Sequence, residues 1–235
     1  VVTAAPQSSV VLAGGLNPSF FALDWEDGSL LWTNPGYPSV PPQTHDQIYG
    51  SSIIDTDNDG IFEGYLVGTS NGTATTQPWP REGTLFKVDV RTGKTTWVLV
   101  NQTYMGETIL PIYLGSDMGW GVVVNWIGEL AVYYTETGQQ LWNWTAPPQK
   151  RMLVDIALTD VTRDGIAEIF ATQMVADIDT RLNKSAAGLF CLDARTGRKL
   201  WEAGGLQAQI TDFVFQDITK DQIPDVLVAL EGRGA

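Results

Sequence analysis

Cysteine, histidine and basic residues are scarce in this 235-residue sequence. It has one cysteine, Cys191, one histidine, His45, and 14 Lys and Arg residues against 27 Asp and Glu residues. A single cysteine cannot form an internal disulfide, and the alternating apolar residues around Cys191 favour a small buried side chain over a reactive thiol. The formal net charge of −13 disfavours nucleic acid and anionic membrane surfaces as partners, and it favours cations.

Long apolar runs are also missing. The most apolar stretch, residues 109–134, contains Asp117, Glu129 and several glycines. No uncharged stretch reaches the roughly 18 residues that a membrane helix needs, so direct membrane insertion within these residues is not expected. Hydrophobic residues nevertheless make up 43% of the chain, and it has nine tryptophans. This composition excludes a disordered chain, a collagen and a long helical rod.

Four of the eight asparagines lie in Asn-x-Ser/Thr sequons, which is more than chance would give. They are Asn71, Asn101, Asn143 and Asn183. Such sequons carry N-linked glycans on surface loops of secreted proteins, although Asn and Thr also both favour turns. The sequence therefore predicts a glycoprotein of the secretory pathway, located outside the cell or at the cell surface.

A twelve-residue pattern occurs four times, at residues 21–32, 86–97, 131–142 and 190–201. In each copy a glycine precedes a tryptophan by four positions, and in three copies the glycine follows a threonine. Alternating apolar residues, a turn with glycine at positive φ and a strand ending in an aromatic residue are typical of a β-hairpin. The repeated tryptophans are Trp32, Trp97, Trp142 and Trp201, and they lie 65, 45 and 59 residues apart. This spacing predicts four-stranded propeller blades, with each tryptophan packed between adjacent blades.

A second repeat, rich in acidic residues, alternates with the first. Its three copies, the first, second and third acidic loops, are Asp55–Glu63, Asp160–Glu168 and Asp217–Asp225. Oxygen-bearing side chains at positions 1, 3, 5 and 9 of a tight loop, with glycine at position 6, suit a hard cation that takes six to eight oxygen ligands. Calcium fits this pattern, whereas zinc and copper do not, because the loops contain no histidine or cysteine. Apolar segments on both sides predict that each loop joins two strands.

The three loops differ in how closely they follow the pattern. The first has four carboxylates and a glycine, and the second replaces one carboxylate with Thr162. The third has Thr219 in place of an acid and Gln222 in place of the glycine, so a solvated turn without metal is a competing interpretation. We therefore expect two or three calcium ions. The candidate ligands are Asp55, Asp57, Asp59, Ile61 and Glu63; Asp160, Thr162, Asp164, Ile166 and Glu168; and Asp217, Thr219, Asp221 and Asp225. A degenerate copy at residues 114–120 has a single carboxylate and predicts no metal site.

These two motifs resemble two known repeat families. The Asp-x-Asp-x-Asp-Gly-x-x-Glu loops resemble the FG-GAP repeats of integrin α-subunits, whose loops bind calcium at these positions. The Asp-x-x-Thr-Gly-x-x-x-Trp hairpins resemble the repeats of PQQ-like quinoprotein propellers. Together the motifs cover almost the whole chain, and the resemblance implies a calcium-bearing β-propeller but no particular activity. No PQQ cofactor is expected, because there is no adjacent cysteine pair and no basic cluster that could hold a carboxylated quinone.

The predicted fold is an all-β propeller of four-stranded blades. The blade segments are residues 8–34 (partial), 50–100, 108–144 (degenerate), 153–203 and 209–235 (partial). With about 56 residues per blade, a seven- or eight-bladed ring needs on the order of 400 residues. We therefore expect residues 1–235 to be part of a larger propeller.

No group of residues has the pattern of a catalytic site. Among enzymes, a calcium-dependent polysaccharide lyase is the better alternative to a quinoprotein, since calcium can acidify a proton beside a uronate carboxylate. A glycan-binding protein is a second alternative, with Trp79 as the candidate glycan contact, although propeller aromatics commonly fill the core. The interpretation that the sequence favours is an extracellular, calcium-stabilised propeller. It would act in adhesion or structural assembly through a protein partner or self-assembly.

Overall fold

The computed structural model describes nine segments of the chain, which contain only strands and turns. The described residues are 10–14, 20–34, 47–70, 82–101, 106–126, 128–145, 151–175, 187–206 and 209–231. Within these segments there is no helix, and hence none long and apolar enough to cross a membrane. The chain divides into two compact units, Val1–Ile109 and Leu110–Ala235, with the boundary inside strand β8.

The first unit contains a three-stranded sheet and a four-stranded sheet, both antiparallel. The three-stranded sheet has the order β1-β2-β3, with β1 Val10–Gly14, β2 Phe20–Asp24 and β3 Leu30–Asn34. The four-stranded sheet has the order β4-β5-β6-β7, with β4 Gln47–Ile54, β5 Glu63–Ser70, β6 Glu82–Asp89 and β7 Thr95–Asn101. In both sheets each strand pairs with the next one in the chain.

Three further sheets follow the same sequential order. One has the order β11-β10-β9-β8, with β8 Gly106–Tyr113, β9 Trp120–Trp126, β10 Glu129–Tyr134 and β11 Gln140–Thr145. The next has the order β12-β13-β14-β15, with β12 Arg151–Thr159, β13 Glu168–Val175, β14 Ala187–Leu192 and β15 Lys199–Leu206. The last has two strands, β16 Gln209–Gln216 and β17 Asp225–Glu231. The segment predicted as a degenerate blade, 108–144, thus contains four strands.

The second and third strands of each four-stranded sheet are the most buried. In β9, for example, Val122, Val123 and Val124 are all fully buried. Such strands have apolar residues on both faces, which is the pattern of a sheet covered on both sides. Cys191, in β14, is fully buried, and burial raises the pKa of its thiol to about 12. The thiol is therefore protonated at neutral pH and is part of the core, as the sequence predicts.

The glycine-bearing hairpins form the predicted turns. All four turn glycines have positive φ: Gly28 (71°), Gly93 (69°), Gly138 (70°) and Gly197 (69°). Each turn closes with a backbone hydrogen bond from the glycine N–H to a carbonyl four residues earlier, at 2.8–2.9 Å. Left-handed backbone favours glycine, which explains why this residue recurs at the same position.

Two of the repeated tryptophans pack on the turn of the next sheet. The indole N–H of Trp32 donates to the carbonyl of Val90 at 2.7 Å, and that of Trp142 donates to the carbonyl of Ala194 at 2.8 Å. A Cβ atom added at Gly93 or Gly197 would overlap these two indoles. Glycine is therefore needed at each of these turns for two reasons: the positive φ and the close approach of the indole ring.

Candidate metal centres

The three acidic loops each connect the first and second strands of a sheet. The first joins β4 to β5, the second joins β12 to β13, and the third joins β16 to β17. The prediction that they lie between strands is confirmed. Each loop begins where its first strand ends, and its last carboxylate is the first residue of the following strand.

The loops share one backbone conformation. At position 4 and position 6 every loop has positive φ, although most of these residues are not glycine. The residues and φ values are Asn58 (59°) and Gly60 (81°), Arg163 (61°) and Gly165 (87°), and Lys220 (62°) and Gln222 (69°). Non-glycine residues rarely adopt this region, so the loops are held by contacts strong enough to offset the strain.

The carboxylate at position 1 holds the sharp bend of each loop. One of its oxygens, Oδ2, accepts a hydrogen bond from the N–H at position 6. These bonds run from Gly60 to Asp55 (3.0 Å), from Gly165 to Asp160 (2.9 Å) and from Gln222 to Asp217 (2.8 Å). The same bond is therefore kept whether position 6 is glycine or glutamine.

The carboxylate at position 5 holds the second half of the loop in the same way. Its Oδ1 accepts from the N–H of the isoleucine at position 7: Ile61 to Asp59 (2.7 Å), Ile166 to Asp164 (2.9 Å) and Ile223 to Asp221 (2.8 Å). Ile61 and Ile166 can then offer a cation only their backbone carbonyl oxygens.

The carboxylate at position 9 ties the end of each loop to its beginning. Glu63 Oε2 accepts from the N–H of Thr56 at 3.1 Å, and Glu168 Oε2 accepts from the N–H of Val161 at 2.8 Å. Asp225 Oδ2 accepts from the N–H groups of Ile218 (2.8 Å) and Thr219 (2.9 Å). The hydrogen bonds from Thr219 and Ile218 hold the pKa of Asp225 below its usual range.

The other carboxylate oxygen of the aspartate at position 1, Oδ1, distinguishes the first two loops from the third. Asp55 Oδ1 and Asp160 Oδ1 are buried and have no hydrogen-bond partner. In the third loop, Asp217 Oδ1 accepts from the N–H of Asp221 at 3.1 Å. A buried carboxylate oxygen without a donor costs free energy unless a cation binds it. The first two loops therefore have an oxygen suited to a cation, and the third uses that oxygen internally.

Carboxylate oxygens converge in the same two loops. One oxygen from each of Asp55, Asp57 and Asp59 lies within 4.8 Å of the others in the first loop. In the second loop, Asp160, Asp164 and Glu168 form such a group. Both sets fit calcium, a hard cation that takes oxygen ligands from a short loop. Glu63 and the three acids of the third loop form no such group among the described residues.

Two contributors to these loops were not predicted from the sequence. The Thr56 hydroxyl donates to Glu63 Oε2 at 2.7 Å, whereas the other loops have Val161 or Ile218 at this position. The Arg163 guanidinium donates from the second loop to the carbonyl of Asp221 in the third, at 3.0 Å. The threonine next to the first aspartate was the available sequence signal for the Thr56 contact.

Thr162, a candidate ligand of the second loop, contacts another candidate ligand. Its hydroxyl donates to Glu168 Oε1 at 2.9 Å.

The degenerate copy of the loop is a short turn closed by its own backbone. Gly119 donates its N–H to the carbonyl of Gly115 at 2.7 Å. Its one carboxylate, Asp117, forms an ion pair with Arg195. This arrangement leaves a single paired carboxylate at the position of the missing loop.

The predicted glycosylation sites and the glycan contact are only partly described. Asn143 is exposed on β11, and Asn101 is the last residue of β7. Asn71, Asn183 and Trp79 lie outside the described residues. Of the other tryptophans outside the repeat, Trp126 is buried and donates to the Tyr133 hydroxyl at 3.0 Å, whereas Trp25 is 70% exposed.

The comparisons with known proteins concern fold and family. A family model described as outer membrane protein assembly factor BamB matches residues 1–226. No curated protein matches the sequence. Solved structures do match it, including a computationally designed protein, Ika8, with a TM-score of 0.57, 16% identity, and coverage of 96% of this chain and 57% of that one.

Two natural enzymes share the fold at low identity. Quinohemoprotein alcohol dehydrogenase ADHIIG of Pseudomonas putida HK5 has a TM-score of 0.51 and 14% identity, with coverage of 83% of this chain and 33% of that one. Rhamnogalacturonan lyase PL11 of Bacillus licheniformis has a TM-score of 0.56 and 13% identity, with coverage of 90% and 48%. The chain thus spans between a third and just over half of these structures' length.

These matches agree with the sequential strand order of the antiparallel sheets and with the predicted PQQ-like repeats. At such identities the structural likeness shows the fold alone, which is an all-β propeller fold of four-stranded antiparallel sheets. Because the family model covers nearly the whole sequence, the chain belongs to the PQQ-like repeat family represented by the outer membrane protein assembly factor BamB.

Proposed function

We propose that this protein is an extracellular β-propeller stabilised by two calcium ions, which presents its surface to a protein partner in adhesion or structural assembly. The observation that carries the proposal is the pair of buried, unpartnered oxygens, Asp55 Oδ1 and Asp160 Oδ1, each beside other carboxylates. These loops resemble FG-GAP calcium loops in their residue pattern.

In the first loop, Asp55, Asp57 and Asp59 would hold the ion. In the second, Asp160, Asp164 and Glu168 would hold it. The bound ion would supply positive charge to oxygens that the fold already holds together, and it would stabilise the folded protein by mass action. The third loop is closed by its own hydrogen bonds and is assigned no ion.

The role as a protein-binding scaffold is supported by the family and by a sequence in which no group of residues has the pattern of a catalytic site. The family model is named after an assembly factor, and propeller folds serve many unrelated functions. The four sequons support an extracellular location, and the net charge of −13 favours binding of cations. The chain has a single histidine, and its one cysteine is buried.

The proposal is tested by chemical crosslinking of the full-length protein on its native cells, with a cell-impermeant reagent. We expect the protein to be crosslinked, to lose mass on treatment with N-glycosidase, and to give one recurring partner or a homo-oligomer in calcium. The crosslink should disappear after chelation and in an Asp55→Asn/Asp160→Asn double variant.

Asp217→Asn is the matched control, because it changes the same position in the loop that is assigned no ion. It should leave the crosslink in place. A protein that the reagent does not reach would contradict the extracellular location. A crosslink that persists in the double variant and after chelation would contradict the calcium dependence.

A further inference from the structure

The four-stranded sheet of the first unit has two ends that differ in chemistry. Because neighbouring strands are antiparallel, the connections from β4 to β5 and from β6 to β7 lie at the same end. The register shows this directly, since Glu63, at the end of the first acidic loop, pairs with Asp89, where the turn of Gly93 begins. We call this the loop end of the sheet, and it contains residues 55–63 and 89–94.

Both sequons of this sheet fall at the opposite end. Asn101 is the last residue of β7 and pairs with Gly83, the second residue of β6. Asn71, which lies outside the described residues, directly follows Ser70, the last residue of β5, in the sequence. Asp89 is six positions beyond Gly83 in β6, which is about 20 Å of extended chain. Glycans at these sequons would therefore cover the opposite end and leave the loop end bare.

The loop end presents an aromatic ring and a lysine to solvent. Phe62, at position 8 of the first acidic loop, is 47% exposed. Its carbonyl accepts a hydrogen bond from the N–H of Val90 at 3.4 Å, which places its backbone beside the turn of Gly93. Lys94 is exposed in that turn, and it forms no ion pair with any of the described residues. An apolar contact and a cationic contact are thus available at one end of the sheet.

The turn of Gly93 is held in place from two sides. The indole N–H of Trp32 donates to the carbonyl of Val90 at 2.7 Å, and the N–H of Val90 donates to Phe62. The turn itself closes with a hydrogen bond from the N–H of Gly93 to the carbonyl of Asp89 at 2.8 Å. A surface that is already ordered loses little conformational entropy when a partner binds.

The second acidic loop lacks this combination. In its sheet Arg198 takes the position of Lys94 and is exposed, but Ala167 takes the position of Phe62. Of the two loops that are assigned an ion, only the first therefore has an exposed aromatic residue beside a cationic turn.

A bound calcium ion would change the charge of the loop end. The carboxylates of Asp55, Asp57 and Asp59 converge in the first loop, and one ion would change their summed charge from −3 to −1. Lys94 would then attract an acidic group with less opposition from the loop, whereas chelation would restore the repulsion. Charge complementarity at this end therefore favours an acidic partner in the presence of calcium.

We propose that the loop end of the first unit is the surface that contacts the protein partner, and that the partner supplies an apolar side chain to Phe62 and a carboxylate to Lys94. This inference rests on the proposed function, because it assigns a surface to the partner proposed there. Both sequons of the sheet lie at the opposite end, and both contact residues are exposed on an ordered turn and loop. Aromatic residues are enriched in the cores of protein–protein interfaces, which suits the role given to Phe62.

Two added sequons place one glycan at either end of the same sheet. Lys94→Asn creates the sequon Asn-Thr-Thr at the loop end, and Glu82→Asn creates Asn-Gly-Thr at the opposite end. The crosslinked partner of the full-length protein is quantified on native cells for each variant, and mass spectrometry measures the occupancy of each sequon. Because a glycan is bulky, we expect Lys94→Asn to lower the yield of the crosslink roughly tenfold or more. Glu82→Asn should leave the yield unchanged.

Two variants without an added glycan test the chemistry of the contact. Thr96→Ala combined with Lys94→Asn removes the new sequon but keeps the loss of the lysine, so the yield should fall only about threefold. Phe62→Ala introduces the residue that the second loop has at this position, and it should lower the yield about fivefold. Both should keep two bound calcium ions and the wild-type melting temperature, because the changed side chains are exposed.

A crosslink that survives full occupancy of the Lys94→Asn sequon would overturn the assignment of the loop end. Loss of the crosslink in Glu82→Asn would place the partner at the opposite end instead. Unchanged yields in Phe62→Ala and in the Lys94→Asn/Thr96→Ala variant would overturn the chemistry assigned to the partner. Failure of the proposed function is distinct, because it would appear in the unsubstituted protein as an absence of glycan or as a crosslink that persists after chelation.

Discussion

The first and second acidic loops share the backbone conformation of the third and differ from it in how their carboxylate oxygens are used. All three have positive φ at positions 4 and 6, and in all three the first carboxylate accepts the N–H of position 6. In the first two the other oxygen of that carboxylate is buried without a partner, whereas Asp217 Oδ1 accepts from Asp221. The loop conformation is thus separable from the capacity to bind a cation.

The comparison also shows what the position-9 carboxylate does. It accepts backbone hydrogen bonds from positions 2 or 3 in every loop, including the third. Its shared role is to close the loop, and in the second loop Glu168 also lies near the other acids. Backbone hydrogen bonds shape the loop, and the remaining oxygens determine whether an ion is needed.

Removal of calcium is expected to lower the free energy of unfolding more than any single substitution. Two sites held at a hundredfold their Kd would contribute about 5 kcal/mol to the free energy of unfolding. For a chain of this size that corresponds to a fall in Tm of about 10–20 °C on chelation. Scanning calorimetry in calcium and in chelator measures it, and magnesium should restore much less, because it demands a tighter octahedral geometry. Equal Tm values in calcium and chelator would contradict the two-site proposal.

Substitution at position 1 should weaken calcium binding in the first and second loops but not in the third. Asp55→Asn and Asp160→Asn keep an oxygen for the hydrogen bond from position 6 and place an amide at the unpartnered position. Each should weaken calcium binding at its loop at least tenfold, about 1.4 kcal/mol, in titration calorimetry.

Asp217→Asn is the control for these two variants, and it should leave calcium binding unchanged. Without calcium, Asp55→Asn should be neutral or stabilising, because it removes a charge beside Asp57 and Asp59. A larger loss of affinity in Asp217→Asn than in Asp160→Asn would reverse the assignment of the ions.

Position 6 allows a smaller test, since the third loop has Gln222 at a φ of 69° where the others have glycine. Gln222→Gly relieves the left-handed strain and keeps the backbone N–H that Asp217 accepts, so we expect stabilisation by about 0.5–1 kcal/mol. Gly165→Gln should destabilise by a similar amount. Urea unfolding at equal calcium measures both, and destabilisation by Gln222→Gly would show that the glutamine side chain contributes a contact of its own.

The smallest expected change is the loss of stability at low pH that comes from Asp225 in the third loop. The pKa of Asp225 is lowered by the N–H groups of Thr219 and Ile218. Because its folded pKa lies below the unfolded value, its stabilising contribution is present above the unfolded pKa and is lost as the pH falls through the folded pKa. NMR titration of the Asp225 carboxyl should give a midpoint below 3.8 that does not change with calcium. A midpoint that shifts with calcium would indicate an ion in the third loop.

Much of the architecture follows from local sequence signals. Glycine four residues before tryptophan predicts the turns, because left-handed backbone and close approach of the indole both exclude larger residues. Apolar segments on both sides of each acidic loop predict its position between two strands, and the structure confirms this. That the five sheets are blades of a single seven- or eight-bladed ring stays a prediction.

The contacts that decide whether a loop can bind a metal ion depend on more than the local residue pattern. The N–H of Asp221 donates to Asp217 Oδ1. The residue pattern does not predict this hydrogen bond, because all three loops have Asp at position 1. The contact from Arg163 to the third loop joins residues 58 positions apart.

The number of calcium ions bound to each chain distinguishes two occupied loops from three. Native mass spectrometry of the chain, titrated with calcium, should show two bound ions. It should show one in Asp55→Asn or Asp160→Asn, and none in the double variant, with Asp217→Asn retaining two. Three ions, or a count that falls in Asp217→Asn and not in Asp55→Asn, would contradict calcium binding in the first and second loops alone.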